Sequence, residues 1–306
     1  MGTIIRFVRS VQAFGRELKG TAPVENSSLQ PRIGVALGGG FARGIAHIGA
    51  LKVLEEERIP IHCLAGTSVG ALIGAGYCSG LSASQLEVVA QRVRFRDFAR
   101  WTVSRYGFAN NDRMIRFLSS FLKVQQFEDL VIPFAVAATD FATGEGVVFR
   151  SGSLVEAIRA SCAYPGLFLP VHVGGRWLVD GMLSHPVPAC PVAEMGATHV
   201  IAVNLKTTWS LGGAPRHLFD VIGQCFAIAQ DNNCREWRAA SASVVEPDVS
   251  GFAYDDFSRT SELLQAGEKA MRAAMPEVRK WLEAPSSTPQ SRYPITGTEF
   301  REQQAT

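Results

Sequence analysis

The sequence predicts an α/β fold built around a largely parallel sheet. Short apolar runs typical of buried strands alternate with segments of helical periodicity, and turns rich in Gly or Pro separate them. Such alternation favours a sandwich in which helices cover a mostly parallel sheet. Hydrophobic residues make up 47% of the 306 residues, which is enough for a sizeable core in one large domain or two ordinary ones.

The predicted elements follow one another in order along the chain. A short apolar strand leads into glycines and a helix, and a second strand leads into another helix. A mostly helical stretch comes next, and further strands and helices alternate after it. The predicted strands are 33–37, 61–65, 133–140, 145–150, 176–180 and 198–205; the predicted helices are 41–59, 71–78, 82–122, 153–161, a stretch ending at Met195, 214–240 and 262–283.

Charge and cysteine usage narrow the functional class. The formal net charge is only +2, so the whole chain gives no argument for binding nucleic acid. The six cysteines occur singly, without a C-x-x-C pair, and indicate reduced packing residues of a cytoplasmic protein rather than metal ligands or disulfides. Only 19% of the residues are charged, which predicts an apolar surface suited to a lipid or a partner.

The N-terminal segment is predicted to form a basic amphipathic helix. It lacks the apolar core of a secretory signal. Two interpretations stay open: a helix lying on the inner face of a membrane, or a leader helix packing on its own domain. The predicted organisation is this helix and a linker over 1–31, a catalytic domain over 32–283, and a disordered tail over 284–306. The apolar face comprises Ile4, Phe7, Val8, Val11, Phe14 and Leu18, and the basic flank comprises Arg6, Arg9, Arg16 and Lys19.

An uncharged run over 63–86 has the length of a membrane-spanning helix, but it contains a second signal. Gly66-Thr67-Ser68-Val69-Gly70 is a G-x-S-x-G motif, which places a serine on a tight strand-to-helix turn with its hydroxyl exposed. A predicted strand precedes Ser68 and a predicted helix follows it. The run therefore favours a buried strand and helix with a nucleophile between them, although a plain turn with a serine filler gives the same five letters.

The glycines at 38–40 lie between a predicted strand and helix. Preorganised backbone N–H groups there can hold the negative charge that develops on an ester carbonyl oxygen. Gly38, Gly39 and Gly40 are therefore candidate oxyanion-hole residues, and Arg43 is a candidate brace for the loop. The dinucleotide fingerprint fails here, because Arg43 stands where a third spaced glycine is needed, and no phosphate-binding Gly-Lys-Ser/Thr is present.

The base that would activate Ser68 is left open by the residues alone. A histidine triad is available through His185, His199 or His217. Asp180 ends a predicted strand just before Gly181, at the edge where an active site forms. A carboxylate is a weak base in water, with a pKa of about 3.9, but burial raises that value. A structural turn aspartate remains the alternative for Asp180.

The motifs together resemble those of patatin-like phospholipases, in the bacterial branch related to neuropathy target esterase. The resemblance lies within about 34–206 and rests on GVALGGGFARGIAHIGALKVLEEERIPIHCLAGTSVGALIGAGYCSG, RASCAYPGLFLPV, WLVDGMLSHPVP and GATHVIAVNL. It implies a three-layer sandwich with helices on both faces of the sheet. It also implies a Ser68–Asp180 dyad without histidine, and an oxyanion loop at Gly38, Gly39 and Gly40 supported by Arg43. Met182 and Phe41 stand where relatives usually carry small residues, which predicts a change of shape near the site.

The resemblance implies a carboxylic ester hydrolase that cleaves fatty-acyl esters of phospholipids or lysophospholipids. We expect no metal or organic cofactor, a membrane surface as peripheral partner, and no nucleic acid. The alternative is a weakly active, membrane-associated scaffold or regulator. Residues 92–108 interleave five arginines with aromatic residues, which is typical of a lid or of an ordinary amphipathic helix pair. His47 is expected to be a packing residue.

Overall fold

The computed structural model describes residues 31–94, 97, 100–104, 107–206, 218–232, 234–253 and 255–283. The N-terminal helix predicted over 1–20, the linker up to residue 30 and the tail predicted over 284–306 lie outside these residues. Residues Pro31–Leu282 form one compact unit. Among the described residues, no helix combines the length and the apolarity needed to cross a bilayer.

The described strands form one large sheet and one separate hairpin. In the large sheet the strand order is β10-β9-β1-β2-β5-β8-β7, and β6 also pairs with β5. Strands β10, β9, β1, β2 and β5 run parallel, whereas β6 and β8 are antiparallel to β5, and β7 is antiparallel to β8. The strands are β1 Ile33–Leu37, β2 Ile61–Thr67, β3 Arg100–Ser104, β4 Gly107–Asn110, β5 Phe134–Asp140, β6 Gly146–Phe149, β7 Val171–Val173, β8 Arg176–Asp180, β9 His199–Val203 and β10 Ser243–Val245.

Helices cover both faces of the sheet. The alternating residues of β1 show the two faces: Val35 and Leu37 pack with the larger helical layer, whereas Ala36 packs with the opposite one. Both faces of β1 are buried, as expected for a central parallel strand. The helices are α1 Ile45–Glu56, α2 Val69–Cys78, α3 Ala83–Arg92, α4 Arg113–Phe121, α5 Leu154–Ser161, α6 Ala189–Glu194, α7 Leu218–Asn232, α8 Cys234–Ala239 and α9 Thr260–Glu283. The predicted three-layer α/β sandwich is confirmed.

One predicted element is wrong in part. Residues 82–122 contain α3 and α4, but β3 and β4 between them form an antiparallel hairpin instead of a continuing helix. The β3 sequence RWTVS is rich in residues that favour strands, and this local preference prevails over the helical pattern. The hairpin overlaps the segment 92–108, whose role as a lid stays a prediction. The three-residue strands β7 and β10 were not predicted, because they are too short to show an alternating pattern.

Candidate active site

Ser68 lies on a sharp turn between β2 and α2. Its backbone has φ 55° and ψ −122°, in the left-handed half of the map that a serine rarely adopts. The flanking glycines permit this geometry, since a Cβ on Gly70 would overlap the Leu37 carbonyl oxygen at the end of β1. The predicted strand–serine–helix arrangement is therefore present, and the strained turn fixes where the hydroxyl points.

Asp180 accepts a hydrogen bond from Ser68. The distance from Ser68 Oγ to Asp180 Oδ2 is 2.7 Å, and Asp180 is fully buried. Strand β5 brings the two residues together, because its Ala137 pairs with Thr67 of β2 and its Ala138 pairs with Asp180 of β8. Two residues that are 112 positions apart in the chain thus meet across one strand.

Asp180 is held through both its side chain and its backbone. Its Oδ1 accepts the Met182 N–H at 2.9 Å, and its backbone carbonyl accepts the Thr139 hydroxyl at 3.0 Å. Burial raises the pKa of Asp180 from 3.8 to about 7, while the hydrogen bonds from Met182 and Ser68 act in the opposite direction. A carboxyl group with a pKa near neutrality is a far stronger base than an ordinary aspartate.

Ser161 is a neighbour of Ser68 that the sequence did not single out. It is the last residue of α5 and is fully buried. Its Oγ accepts the Ser68 backbone N–H at 2.7 Å and donates to the Ala137 carbonyl at 2.6 Å. Ser161 thus links the strained turn to β5. It lies in the family-like stretch RASCAYPG, which was the one signal that could have pointed to it.

The glycine loop follows β1 and approaches the same edge of the sheet. Two of its amides already have acceptors: Gly38 N–H donates to Val203 O at 3.0 Å, and Gly39 N–H donates to Pro186 O at 3.2 Å. Gly40 N–H has no acceptor among the described residues. In this conformation Gly38 and Gly39 shape the loop, and Gly40 is the predicted oxyanion residue whose amide is available.

Two buried side chains brace the loop. His47 Nε2 donates to Gly38 O at 2.8 Å, and burial lowers the pKa of His47 to about 4, so the ring is neutral near pH 7. Arg43 Nε donates to Phe252 O at 2.9 Å, which ties the loop to the segment before α9. Arg43 therefore lies where a supporting residue was predicted. His47 is a buried packing residue, as expected, and it also holds the loop.

Met182, one of the two departures from the family pattern, packs directly on the glycine loop. A Cβ on Gly39 would overlap the Met182 side chain, so the loop can approach only because residue 39 is glycine. Met182 is buried and follows Asp180 by two residues. Its side chain thus fills the space between the aspartate turn and the loop.

The histidines considered for a triad lie in other environments. His185 Nδ1 is 3.1 Å from Ser184 Oγ, and the His199 ring stacks on Trp281 with centroids 4.9 Å apart. Neither ring forms a hydrogen bond with Ser68 or Asp180 in the described structure. His217 lies outside the described residues.

An apolar cavity opens beside Ser68. Its volume is about 90 Å³, and it runs from the turn at Ser68 to α3 and α4. The lining is apolar or aromatic apart from the Ser68 hydroxyl, the Cys162 thiol and the Tyr164 hydroxyl. Burial and the negative charge of Asp180 raise the pKa of Cys162, which keeps it an uncharged thiol. The lining residues are Phe41, Ile45, Ile48, Ser68, Val69, Leu72, Ile73, Leu86, Val89, Ala90, Val93, Met114, Phe117, Phe121, Cys162, Tyr164, Phe168 and Phe257.

The described residues contain no cluster of three or more His, Cys, Asp or Glu side chains that could hold a metal ion. Asp140 is a buried carboxylate that ends β5. It accepts hydrogen bonds from the backbone N–H groups of Ala142 and Thr143, at 2.8 and 3.3 Å. It is a turn residue.

Comparison with known proteins places these features in a family. The model of the patatin-like phospholipases matches residues 35–193. An uncharacterised NTE family protein of Mycobacterium tuberculosis is 34% identical over 194 residues, which covers 58% of this chain and 50% of that protein. The lysophospholipase NTE1 of Mycosarcoma maydis is 32% identical over 230 residues, covering 72% of this chain and 12% of that protein.

A solved structure shares the fold. The crystal structure of VipD from Legionella pneumophila superposes with a TM-score of 0.54 at 10% identity, over 81% of this chain and 67% of VipD. This likeness shows the fold alone. The chain spans half or less of the length of the sequence relatives named above. Since the family model covers more than half of the chain, the protein belongs to the patatin-like phospholipase family.

Proposed function

We propose that this protein is a serine lipid acyl hydrolase that cleaves fatty-acyl esters of phospholipids or lysophospholipids. Family membership supports the general class of lipid hydrolase. The observation that carries the finer proposal is the 2.7 Å hydrogen bond from Ser68 Oγ to the buried Asp180 carboxylate, beside an apolar cavity. These features are what acyl transfer needs: an oriented nucleophile, a base and a place for an acyl chain.

The first step forms an acyl-enzyme. Asp180 Oδ2 takes the Ser68 hydroxyl proton while Ser68 Oγ attacks the ester carbonyl carbon. The carbonyl oxygen becomes an oxyanion, which the Gly40 amide and the N-terminal end of α2 stabilise. Protonated Asp180 then gives its proton to the departing alcohol oxygen as the ester C–O bond breaks. The acyl group is left on Ser68 Oγ.

Water completes the reaction. Asp180 accepts a proton from a water molecule, the resulting hydroxide attacks the acyl carbonyl carbon, and the proton returns to Ser68 Oγ as the fatty acid leaves. The same carboxylate thus acts first as base and then as acid in each of the two steps. A pKa of about 7 suits both roles near neutral pH.

The acyl chain is proposed to occupy the cavity. Its apolar lining excludes a charged headgroup, which must then remain at the open side of the site. The Mycosarcoma maydis relative is named a lysophospholipase, and that activity is a proposal for this chain.

A membrane surface is the proposed source of substrate. Phe141 and Trp177 are 68% and 56% exposed, and they lie opposite each other just past the end of β5. The Trp177 ring also lies 4.9 Å from the His172 ring on β7, so three aromatic residues stand in a row across neighbouring strands. The row lies about 10 Å beyond Ala138, the partner of Asp180, on the same edge of the sheet. Aromatic rings favour the headgroup region of a bilayer.

Covalent labelling tests the proposal. A fluorophosphonate should label the protein at Ser68, and Ser68→Ala should abolish both labelling and hydrolysis of a short p-nitrophenyl ester while keeping the fold, as checked by circular dichroism. Ser120→Ala removes an exposed serine as a control and should leave both signals intact. Labelling that persists in Ser68→Ala would place the nucleophile elsewhere, and a protein that neither labels nor hydrolyses would favour the scaffold role.

A further inference from the structure

We propose that the Phe41 side chain, with Phe257 beside it, selects acyl groups by their width at the carbon next to the ester carbonyl. The inference rests on the proposed function, since it concerns the acyl group that Ser68 would carry. It adds a property that neither the dyad nor the glycine loop accounts for: which acyl groups can enter the cavity.

Phe41 has an unusual backbone. Its φ is 55°, in the left-handed region that costs a bulky residue free energy and that glycine adopts freely. It stands at the start of the 3₁₀ turn Phe41–Gly44, directly after three glycines. Strain of this kind persists when the surroundings hold it in place, and it concentrates at functional sites. The position that would best suit a fourth glycine therefore carries an aromatic ring.

That ring faces the cavity and a second aromatic residue. Phe41 and Phe257 both line the cavity, and their ring centroids are 6.2 Å apart at an angle of 54°. The segment that carries Phe257 is fixed to the glycine loop through the hydrogen bond from Arg43 Nε to Phe252 O. The Thr260 hydroxyl also donates to Phe257 O at 3.1 Å. The aromatic pair is thus a braced wall of the cavity.

The wall stands close to the reacting atoms. The turn that begins at Phe41 packs on the Ser68 turn, because a Cβ on Gly44 would overlap the Val69 side chain. Phe41 also directly follows Gly40, the proposed oxyanion donor. When the acyl group is attached to Ser68 Oγ and its carbonyl oxygen accepts the Gly40 N–H, the carbon next to the carbonyl lies between the Ser68 turn and the Phe41 ring. A straight chain passes this point, whereas a methyl branch at that carbon meets the ring.

The other end of the cavity provides a matched control. Phe117 lies on α4 and lines the cavity there, away from the glycine loop. Its ring centroid is 5.1 Å from that of Phe121. Removing the Phe117 ring deletes the same type of side chain from the same cavity as removing the Phe41 ring does. It should change the preferred chain length without changing the response to a branch next to the carbonyl.

The experiment compares kcat/KM for p-nitrophenyl hexanoate with that for p-nitrophenyl 2-methylhexanoate. The wild-type protein should prefer the straight chain. Phe41→Ala should lower this preference roughly tenfold or more, the range expected for one methyl group in an apolar pocket. Phe41→Gly, which suits the left-handed backbone, keeps the test informative if Phe41→Ala folds poorly. Phe41→Leu should restore much of the preference, and Phe257→Ala should lower it less.

Three results would overturn the inference, and they are distinguishable. A preference in Phe41→Ala and Phe41→Gly within about twofold of the wild-type value would show that the ring does not contact the branch. An equal loss in Phe117→Ala would show a general loosening of the cavity instead of a local wall. Turnover that survives Ser68→Ala would refute the proposed function itself, and the inference with it.

Discussion

Asp180→Asn tests two properties of the proposed dyad separately: its effect on kcat and its effect on the free energy of unfolding. The substitution keeps the shape of the side chain and replaces one carboxylate oxygen with an amide nitrogen. Because the Met182 N–H needs an acceptor, the remaining oxygen should face Met182, and the new NH₂ group should face Ser68 Oγ. The serine then has no base. We expect kcat to fall on the order of 10³-fold, within the range for loss of a general base.

The same substitution should stabilise the protein at high pH. The pKa of Asp180 is raised from 3.8 to about 7, so the folded state holds this proton more tightly than the unfolded chain. Ionisation therefore destabilises the fold progressively between pH 4 and pH 7, by about 4 kcal/mol in all at ~1.4 kcal/mol for each tenfold change in proton affinity. Asparagine carries no such penalty. More than half of this penalty accumulates between pH 5 and pH 8.

Urea unfolding at pH 5, 6, 7 and 8 measures this effect directly. The free energy of unfolding of Asp180→Asn minus that of the wild-type protein should rise across the series and level off above pH 7. Any hydrogen bonding lost in the variant shifts all four points equally, so the slope is the informative quantity. In the wild-type protein, kcat should rise with pH through about 7, as the base loses its proton. A flat stability difference would refute the buried, high-pKa carboxylate, and a variant with substantial activity would refute its role as base.

Three further predictions concern residues around the dyad. Ser161→Ala leaves the buried Ser68 N–H without its acceptor, so the free energy of unfolding measured in urea should fall by about 1–3 kcal/mol. The decrease in kcat should exceed any change in KM. An unchanged kcat would limit Ser161 to packing. His47→Phe removes the donor to Gly38 O and should lower kcat without moving the midpoint of the pH–rate profile, whereas a moved midpoint would give His47 a part in proton transfer. The double variant Phe141→Ala/Trp177→Ala should sediment less with phosphatidylcholine vesicles and hydrolyse vesicle lipid more slowly, while hydrolysis of a soluble ester stays unchanged. Equal losses on both substrates would contradict membrane docking through the exposed aromatic row.

The parts of the site that could be predicted from the sequence are those that local chain geometry determines. The turn at Ser68 is an example, because the apolar run before it, the helical spacing after it and the glycines around it all lie within residues 61–78. The β3–β4 hairpin was missed because the strand-favouring residues of β3 form only a five-residue run between segments with a helical pattern. The residues around Asp180 did not distinguish it from other carboxylates. Only the family resemblance favoured it over a histidine as the base.

Long-range pairing explains why the rest could not be predicted. The Gly38 and Gly39 amides have acceptors because Val203 and Pro186, each more than 140 positions away in the chain, lie beside the loop, and no local pattern in the glycines encodes those neighbours.

Asp180 depends on the sheet in the same way. Pairing of β8 with β5 carries it to the Ser68 turn, and its backbone N–H is bound there by Ala163 O at 3.0 Å. The surrounding layers exclude water from its carboxylate, and this burial is the main cause of its raised pKa. The basicity that the proposed mechanism requires of Asp180 is therefore produced by the packing around the sheet. A change that opens this packing should lower the pKa of Asp180 and weaken the base even where the dyad residues themselves are intact.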